Sequence, residues 1–101
     1  MIVRLTYISF MPQNVEQAKK VYREEVVPVV KVQKGNLDCR LLEPMDNSDE
    51  YISMTTWESQ ADSDAYESSG KYKELVDKVR KDFAKAPVLK VYTTESILEH
   101  A

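Results

Sequence analysis

The chain has few of the residue types on which many catalytic and metal-binding motifs depend. Its 101 residues include one cysteine and one histidine. Because His100 is next to the last residue, we do not expect a histidine-based metal site or a triad centred on histidine. Cys39 has no disulfide partner, and its apolar neighbours indicate a small buried residue, with a reactive thiol as the alternative. No cluster has the spacing of metal ligands and no glycine-rich phosphate-binding loop is present, so no metal is expected.

Long apolar runs and an excess of positive charge are also missing. No run approaches the length of about 18 residues that a membrane-spanning helix needs, and the N-terminus lacks the pattern of a signal peptide. Fourteen basic and seventeen acidic residues give a formal charge of -3, with both signs interspersed. Such a surface does not favour binding to phosphate backbones. We expect one cytoplasmic domain, residues 1–101, without nucleic acid or membrane partners.

Apolar periodicity predicts strands that alternate with helices. The predicted strands are Met1 to Phe10, Leu37 to Glu43, Tyr51 to Trp57 and Val88 to Thr93. The first helix begins after Asn14, which is expected to cap it, and the chain turns at Gly35. Pro28 lies inside this helix and removes one hydrogen bond, which predicts a kink or an early end near Val27.

Two further helices follow the third strand. Ser59 and Asp62 predict a capping box, and the helix after them is expected to turn Ala61, Ala65 and Tyr66 inward. A break at residues 68–70 precedes an apolar helical stripe made of Tyr72, Leu75, Val76, Val79 and Phe83. The order β-α-β-β-α-β predicts an α+β, ferredoxin-like fold with a four-stranded antiparallel sheet. Its core covers about 2–94, followed by a C-terminal tail, 95–101.

One face of this sheet is expected to be apolar and free of helices. Its predicted residues are Val3, Leu5, Tyr7, Ile52, Met54, Leu89 and Val91. A monomer would expose this patch to water at a cost of roughly 25 cal/mol per Å². We therefore predict a homodimer that forms through the sheet faces.

The opposite rows of the strands carry hydroxyl groups, aromatic rings and one charge. They contain Arg4, Thr6, Tyr51, Ser53, Thr55 and Trp57. Because buried polar atoms need partners, this composition favours a ligand pocket under the helices, with Tyr22, Tyr66 and Tyr72 entering from the helix side. The alternative is that Arg4 reaches solvent and the aromatic rings fill a core. The paired carboxylates Glu24-Glu25, Asp62-Asp64 and Asp46-Asp49 are interpreted as solvated charge.

The helix, the turn at Gly35, the hairpin and the strand-ending Trp57 resemble the antibiotic biosynthesis monooxygenase family of dimeric α+β barrels. The resemblance extends from the first strand through Thr94, and its most specific parts are residues 28–35 and 57–72. Some members oxidise polycyclic phenols or quinols with molecular oxygen and no bound metal or flavin. An electron-rich phenolate can itself reduce oxygen, so the resemblance implies that no cofactor is required.

The chain departs from the family on the helix after Trp57. Many members carry a histidine about nine residues past that tryptophan, where this chain has Tyr66. The haem-degrading branch pairs that histidine with a tryptophan and an asparagine on the first strand, where this chain has Thr6. Of this trio only Trp57 is present. Haem degradation is therefore disfavoured, although a phenol can still orient a phenolic substrate.

Two functional hypotheses follow from the residues and the resemblance. The first is a cofactor-independent monooxygenase that acts on a small phenolic or quinol-like aromatic, with Tyr66 and Arg4 as catalytic residues. Trp57, Tyr22, Tyr51, Thr6, Ser53, Thr55 and Tyr72 are then the expected substrate-binding residues. The second is a non-catalytic, small-molecule-binding or stress-associated dimer that uses the same pocket. It is favoured by the absence of an evident general base.

Overall fold

A computed structural model describes residues 1–46 and 50–94 of the chain. The strands are β1 (Ile2–Ile8), β2 (Asn36–Leu42), β3 (Tyr51–Trp57) and β4 (Val88–Thr93). The α-helices are α1 (Val15–Val21), α2 (Val27–Lys31), α3 (Gln60–Ser68) and α4 (Lys71–Val79). A π-helical turn (Tyr22–Val26) joins α1 to α2, and short 3₁₀ turns cover Pro12–Asn14 and Arg80–Asp82.

The four strands form one antiparallel sheet in the order β2-β3-β1-β4. This order places β1 between β3 and β4. It also places β3 between β1 and β2, the two strands that the first helical segment connects. The predicted α+β, ferredoxin-like fold is thus confirmed. The predicted tail, 95–101 with His100, lies outside the described residues, as do loop residues 47–49. The expectation of one domain across 1–101 therefore stays a prediction.

The sequence predicts a kink or an early end near Val27, and the early end is not observed. The helical segment continues past Pro28 and changes its winding there. The N–H of Val27 donates to the carbonyl of Tyr22, five residues back, and the chain then continues as α2 to Lys31. A wider turn absorbs the hydrogen bond that a proline cannot make, which is one known cause of π turns. The same turn contributes Tyr22 and Val26 to the buried interior.

Only one of the two predicted helix caps is present. The Ser59 hydroxyl accepts from the backbone N–H of Asp62 at 3.2 Å and donates to its carboxylate at 3.1 Å. Asn14 makes no capping hydrogen bond through its side chain, because a 3₁₀ turn that begins at Pro12 precedes α1. The cap prediction for Asn14 is therefore wrong.

Gly35 lies against the beginning of α3. Its φ of +80° is in the left-handed region, and a Cβ built on it would overlap the carboxylate of Asp62. Its carbonyl also accepts from the N–H of Glu58 at 2.8 Å. Only glycine fits both the backbone angle and the space, so the end of the first helical segment and the beginning of α3 are held together here.

The strand register corrects one part of the predicted face. Leu89 pairs with Thr6 and Val91 with Arg4, so both lie on the helix-covered side of the sheet. Val88, Lys90 and Tyr92 take their places on the helix-free face, where the Lys90 ammonium lies 5.3 Å from the centre of the Tyr7 ring. Both rows of β4 contain apolar residues, so alternation within that strand does not show which row faces the helices.

The remaining assignments on the helix-free face are confirmed. Leu5 pairs with Met54 and Tyr7 with Ile52, which places these four residues beside Val3 on one face. All of them are half-buried in the single chain. Among the described residues, no helix is long and apolar enough to cross a membrane.

Substitution of Gly35 by alanine should destabilise the protein more than the same change at Gly70. Gly70 has a nearly identical φ of +82°, but nothing lies within 4 Å of a Cβ there. Gly70→Ala should therefore cost only the left-handed backbone penalty of about 1–2 kcal/mol, whereas Gly35→Ala must also displace Asp62. Urea denaturation measures both free energies of unfolding, and equal losses would refute the close approach.

Candidate functional site

A cavity lies between the sheet and the helices. Its sheet side contains Arg4, Thr6, Ile8, Ser53 and Thr55, and its helix side includes Tyr22, Tyr66, Tyr72, Leu75, Val76 and Val79. Phe10 and Phe83 close one end. The cavity volume is about 40 Å³, well below the roughly 300–1,000 Å³ of typical ligand pockets. A bicyclic ligand would therefore require the lining side chains to move apart.

Arg4 is the only charged residue in the described lining, and it is 4% exposed. Its Nη2 donates to Glu67 at 2.5 Å and its Nη1 to the Ser63 hydroxyl at 3.4 Å. The guanidinium carbon lies 5.4 Å from the ring centre of Tyr66 and 4.8 Å from that of Tyr72. The buried Nε has no acceptor within the described residues. An unpaired buried donor costs roughly 1–3 kcal/mol, so a ligand oxygen here would recover stability.

Trp57 lies behind Tyr66 and does not line the cavity. It is fully buried, and its ring stacks on that of Tyr66 with 4.6 Å between centroids. Its indole N–H donates to the Thr55 hydroxyl at 2.8 Å. Trp57 therefore supports two lining residues, Tyr66 and Thr55, from behind.

The Tyr66 hydroxyl makes no hydrogen bond within the part of the chain that the structure describes. The neighbouring Tyr72 hydroxyl, in contrast, is 2.9 Å from that of Thr6. Tyr66 and the Nε of Arg4 are thus two donors of the lining without an acceptor.

Tyr22 is held in place by three neighbours from the sheet. Its hydroxyl donates to the carbonyl of Arg40 at 3.1 Å, so the Ser53 hydroxyl at 2.8 Å is left to donate to it. The Cys39 thiol lies 3.4 Å away, and burial raises the pKa of that thiol. Cys39 is therefore protonated and weakly nucleophilic at neutral pH.

The tyrosines of the cavity do not act as bases at neutral pH. Burial raises the pKa of Tyr22, Tyr66 and Tyr72 above the ordinary value for a phenol. The charge of Arg4 offsets this effect only in part for Tyr66. Among the described lining residues there is no carboxylate and no histidine. The site therefore offers hydrogen-bond donors rather than a proton acceptor.

Seven of the nine candidate residues line the cavity, and Tyr51 and Trp57 do not. The Tyr51 ring packs edge-on against Phe10, with 5.1 Å between centroids. Its hydroxyl points away to Glu43, at 3.4 Å. Tyr51 lies on the predicted face of β3, but it is near the strand end and beyond the cavity wall.

Two residues of α3 contact Arg4 but were not among the candidates. Ser63 lies three positions before Tyr66, and Glu67 follows Ser63 by four, so helical spacing places them near the same face. The sequence predicts Ala61 and Ala65 as inward instead, and this is wrong because both are exposed. A small apolar residue such as alanine suggests a core position, but the buried charge of Arg4 requires polar partners, and Ser63 and Glu67 provide them.

Comparison with known proteins identifies relatives of this chain. The family model described as antibiotic biosynthesis monooxygenase matches residues 1–78. Among curated proteins no match was found.

In the described part of the chain, no three His, Cys, Asp or Glu side chains are grouped so that they could hold a metal ion.

Solved structures with the same fold cover nearly the whole chain. An antibiotic biosynthesis monooxygenase is 14% identical with a TM-score of 0.76, over 94% of this chain and 99% of the other. A conserved protein from Methanosarcina mazei is also 14% identical, with a TM-score of 0.79 over 94% of each chain. A point variant of MhuD, with two manganese protoporphyrin IX molecules bound per active site, is 18% identical, with a TM-score of 0.76 over 93% and 94%. At these identities the likeness shows the fold alone.

Replacement of Tyr22 by phenylalanine should make the free energy of unfolding fall less steeply at alkaline pH. A phenol with a raised pKa keeps its proton in the folded state while the unfolded chain ionises. Stability should therefore fall as pH rises above about 10, by up to about 1.4 kcal/mol per pH unit for each such phenol. Urea denaturation between pH 8 and 11 measures the slope for wild type and for Tyr22→Phe. Equal slopes in the two proteins would contradict the assignment.

Proposed function

Because the chain belongs to the antibiotic biosynthesis monooxygenase family, we propose that it is a cofactor-independent monooxygenase that oxidises a small phenolic or quinol-like aromatic with molecular oxygen. The observation that carries this proposal is a pair of donors without an acceptor among the described residues, the buried Arg4 Nε–H and the Tyr66 O–H, in the lining of an otherwise largely apolar cavity. Two such donors suit the oxygen of an aromatic alcohol. The apolar wall beyond them suits its ring.

The proposed reaction needs no external reductant. A phenol with a free ring C–H supplies four electrons when it becomes a quinone. One oxygen atom of O₂ enters the ring, and the other leaves as water with the two hydrogens that the phenol loses. The substrate is itself the electron donor, so the protein must hold it, stabilise the negative charge that develops on its oxygen during the reaction and exclude solvent.

In this proposal Arg4 and Tyr66 bind the substrate oxygen and stabilise the negative charge that develops on it. Thr6 and Tyr72, joined by their own hydrogen bond, form the wall beside them. Ser53 and Thr55 contribute hydroxyls from β3, and Tyr22 contributes its ring from the π turn. Trp57 supports Tyr66 from behind.

Tyr66 does not fit the role of a haem-iron ligand. Iron binds a phenolate, and burial raises the pKa of Tyr66, which disfavours that form. The ring is also enclosed between Trp57 on one side and the Arg4 guanidinium nearby. The porphyrin binding seen in the MhuD variant is therefore not proposed for this chain.

A non-catalytic role is the second candidate. The described lining contains no group that accepts a proton at neutral pH, and the cavity of about 40 Å³ must widen to take a ring. Both observations suit a small-molecule-binding or stress-associated dimer that holds an aromatic without converting it. The two candidates share the site and differ only in turnover.

We propose further that the protein acts in the cytoplasm as a homodimer. The supporting observation is the helix-free face, on which Val3, Leu5, Tyr7, Ile52 and Met54 form an apolar surface. Tyr92 and Val88 extend it along β4. A second copy of the same face would cover this surface through a two-fold contact.

Leu5→Arg should convert the dimer to a monomer, because it introduces a charge into the dry interface of both subunits. Sedimentation velocity at micromolar concentration measures the mass. Wild type should run at twice the chain mass of 11.7 kDa. Val32→Arg is the control, since Val32 is 79% exposed, directly follows α2 and belongs to no strand. A monomeric wild type would contradict the dimer proposal.

Purified protein should consume oxygen with a naphthol, an anthrone or a quinol. Arg4→Met should reduce the catalytic rate far more than the binding of a neutral analogue, because Arg4 acts on developing charge. Tyr66→Phe should lose about 1.5–3 kcal/mol of transition-state stabilisation, the value of one hydrogen bond to a charged group.

Oxygen-electrode traces and calorimetry give the rate and the affinity separately. Arg80→Met is the control, because Arg80 pairs with Asp77 at the exposed end of α4. Oxygen uptake that equals a protein-free blank across the panel would reject the monooxygenase and leave the binding protein. Equal losses of rate and affinity in both variants would also favour simple binding.

A further inference from the structure

The charge of Arg4 is already neutralised by a residue outside the cavity lining. Glu67 accepts from Nη2 at 2.5 Å and is 49% exposed, while the arginine is 4% exposed. We infer that Glu67 determines specificity: the Arg4-Glu67 pair selects a ligand oxygen without formal charge, such as a phenol hydroxyl or a quinone carbonyl, over a carboxylate. The inference rests on the proposed function in taking the cavity as the aromatic-binding site.

The first reason is the charge of the site. Within the described lining Arg4 is the only charged residue, so no second cation is present to attract an anion. With Glu67 in place the pair carries no net charge. A bound carboxylate would therefore add one uncompensated negative charge in surroundings that solvate it poorly, which disfavours its ionised form.

The second reason is the geometry of the guanidinium. Carboxylates bind arginine best through two parallel N–H donors. Ser63 and Glu67 already engage the two terminal nitrogens of Arg4, and only Nε is left without a partner. A ligand that used Nε together with Nη2 would place its second oxygen beside the Glu67 carboxylate. A single oxygen atom avoids this repulsion and takes one hydrogen bond from Nε.

The third reason is the aromatic neighbour of the guanidinium in the lining, since the central carbon of Arg4 lies 5.4 Å from the ring centre of Tyr66. The Tyr66 hydroxyl is a neutral phenol, because burial raises its pKa. It can donate to a ligand oxygen or accept from a ligand hydroxyl without a change of charge. A phenol, which both donates and accepts, can therefore use Tyr66 and Arg4 together, whereas a carboxylate can only accept.

The test compares 2-naphthol with 2-naphthoate at pH 7, where the first is neutral and the second is ionised. Calorimetry on the full chain without oxygen measures binding in the absence of turnover. Wild type should bind 2-naphthol at least about tenfold more tightly than 2-naphthoate. Glu67→Gln keeps the shape but leaves Arg4 as an uncompensated cation. It should raise the affinity for 2-naphthoate about tenfold or more, and change that for 2-naphthol much less.

Glu74→Gln is the matched control, because Glu74 pairs with Lys71 on the exposed surface of α4. It should behave as wild type. A wild type that binds the two ligands equally, or neither of them, overturns the inference without any variant. A Glu67→Gln protein whose preference for 2-naphthol over 2-naphthoate equals that of Glu74→Gln also overturns the inference. Because oxygen is absent, the change of preference can be found even if the protein proves to have no monooxygenase activity.

Discussion

The burial of one positive charge is the constraint on which the rest of this structure depends. Arg4 lies in the central strand and is almost completely removed from water. A guanidinium in that position is stable only with a counter-charge and acceptors close by, and Glu67 and Ser63 provide them from α3. Tyr66 and Tyr72 add ring contacts from α3 and α4. A single side chain therefore ties β1 to two helices and determines which polar groups surround the cavity.

The two rows of side chains on β1 face different surroundings. The inward row, with Arg4 and Thr6, faces the cavity, and the outward row, with Val3, Leu5 and Tyr7, forms the apolar face. The central position of β1 in the sheet carries this division to its neighbours through the strand register. A slip of one residue would exchange the two faces, so the register of β1 specifies both the cavity wall and the apolar surface proposed for dimerisation.

Membership of a monooxygenase family and the chemistry of this site agree on one point. The cavity offers hydrogen-bond donors and aromatic walls, and it does not offer a base or a metal-binding cluster within the described residues. The proposed reaction draws its electrons from an electron-rich phenol, so the site needs only to hold and orient that molecule. The proposed selectivity of the Arg4-Glu67 pair favours the same class of ligand.

By itself the sequence determined the order of the elements, the β3 boundaries from Tyr51 to Trp57, the break at Gly70 and the Ser59 cap, because these depend on local periodicity and local hydrogen bonds. It also identified Arg4 and the hydroxyl row of β3 as unusual. Only the tertiary structure decided which face Leu89 and Val91 occupy, that Trp57 stands behind Tyr66, and that Glu67 neutralises Arg4. Those relations join residues far apart in the chain, and they are set by strand register and by the docking of α3 on the sheet, which alternation within a single segment does not encode.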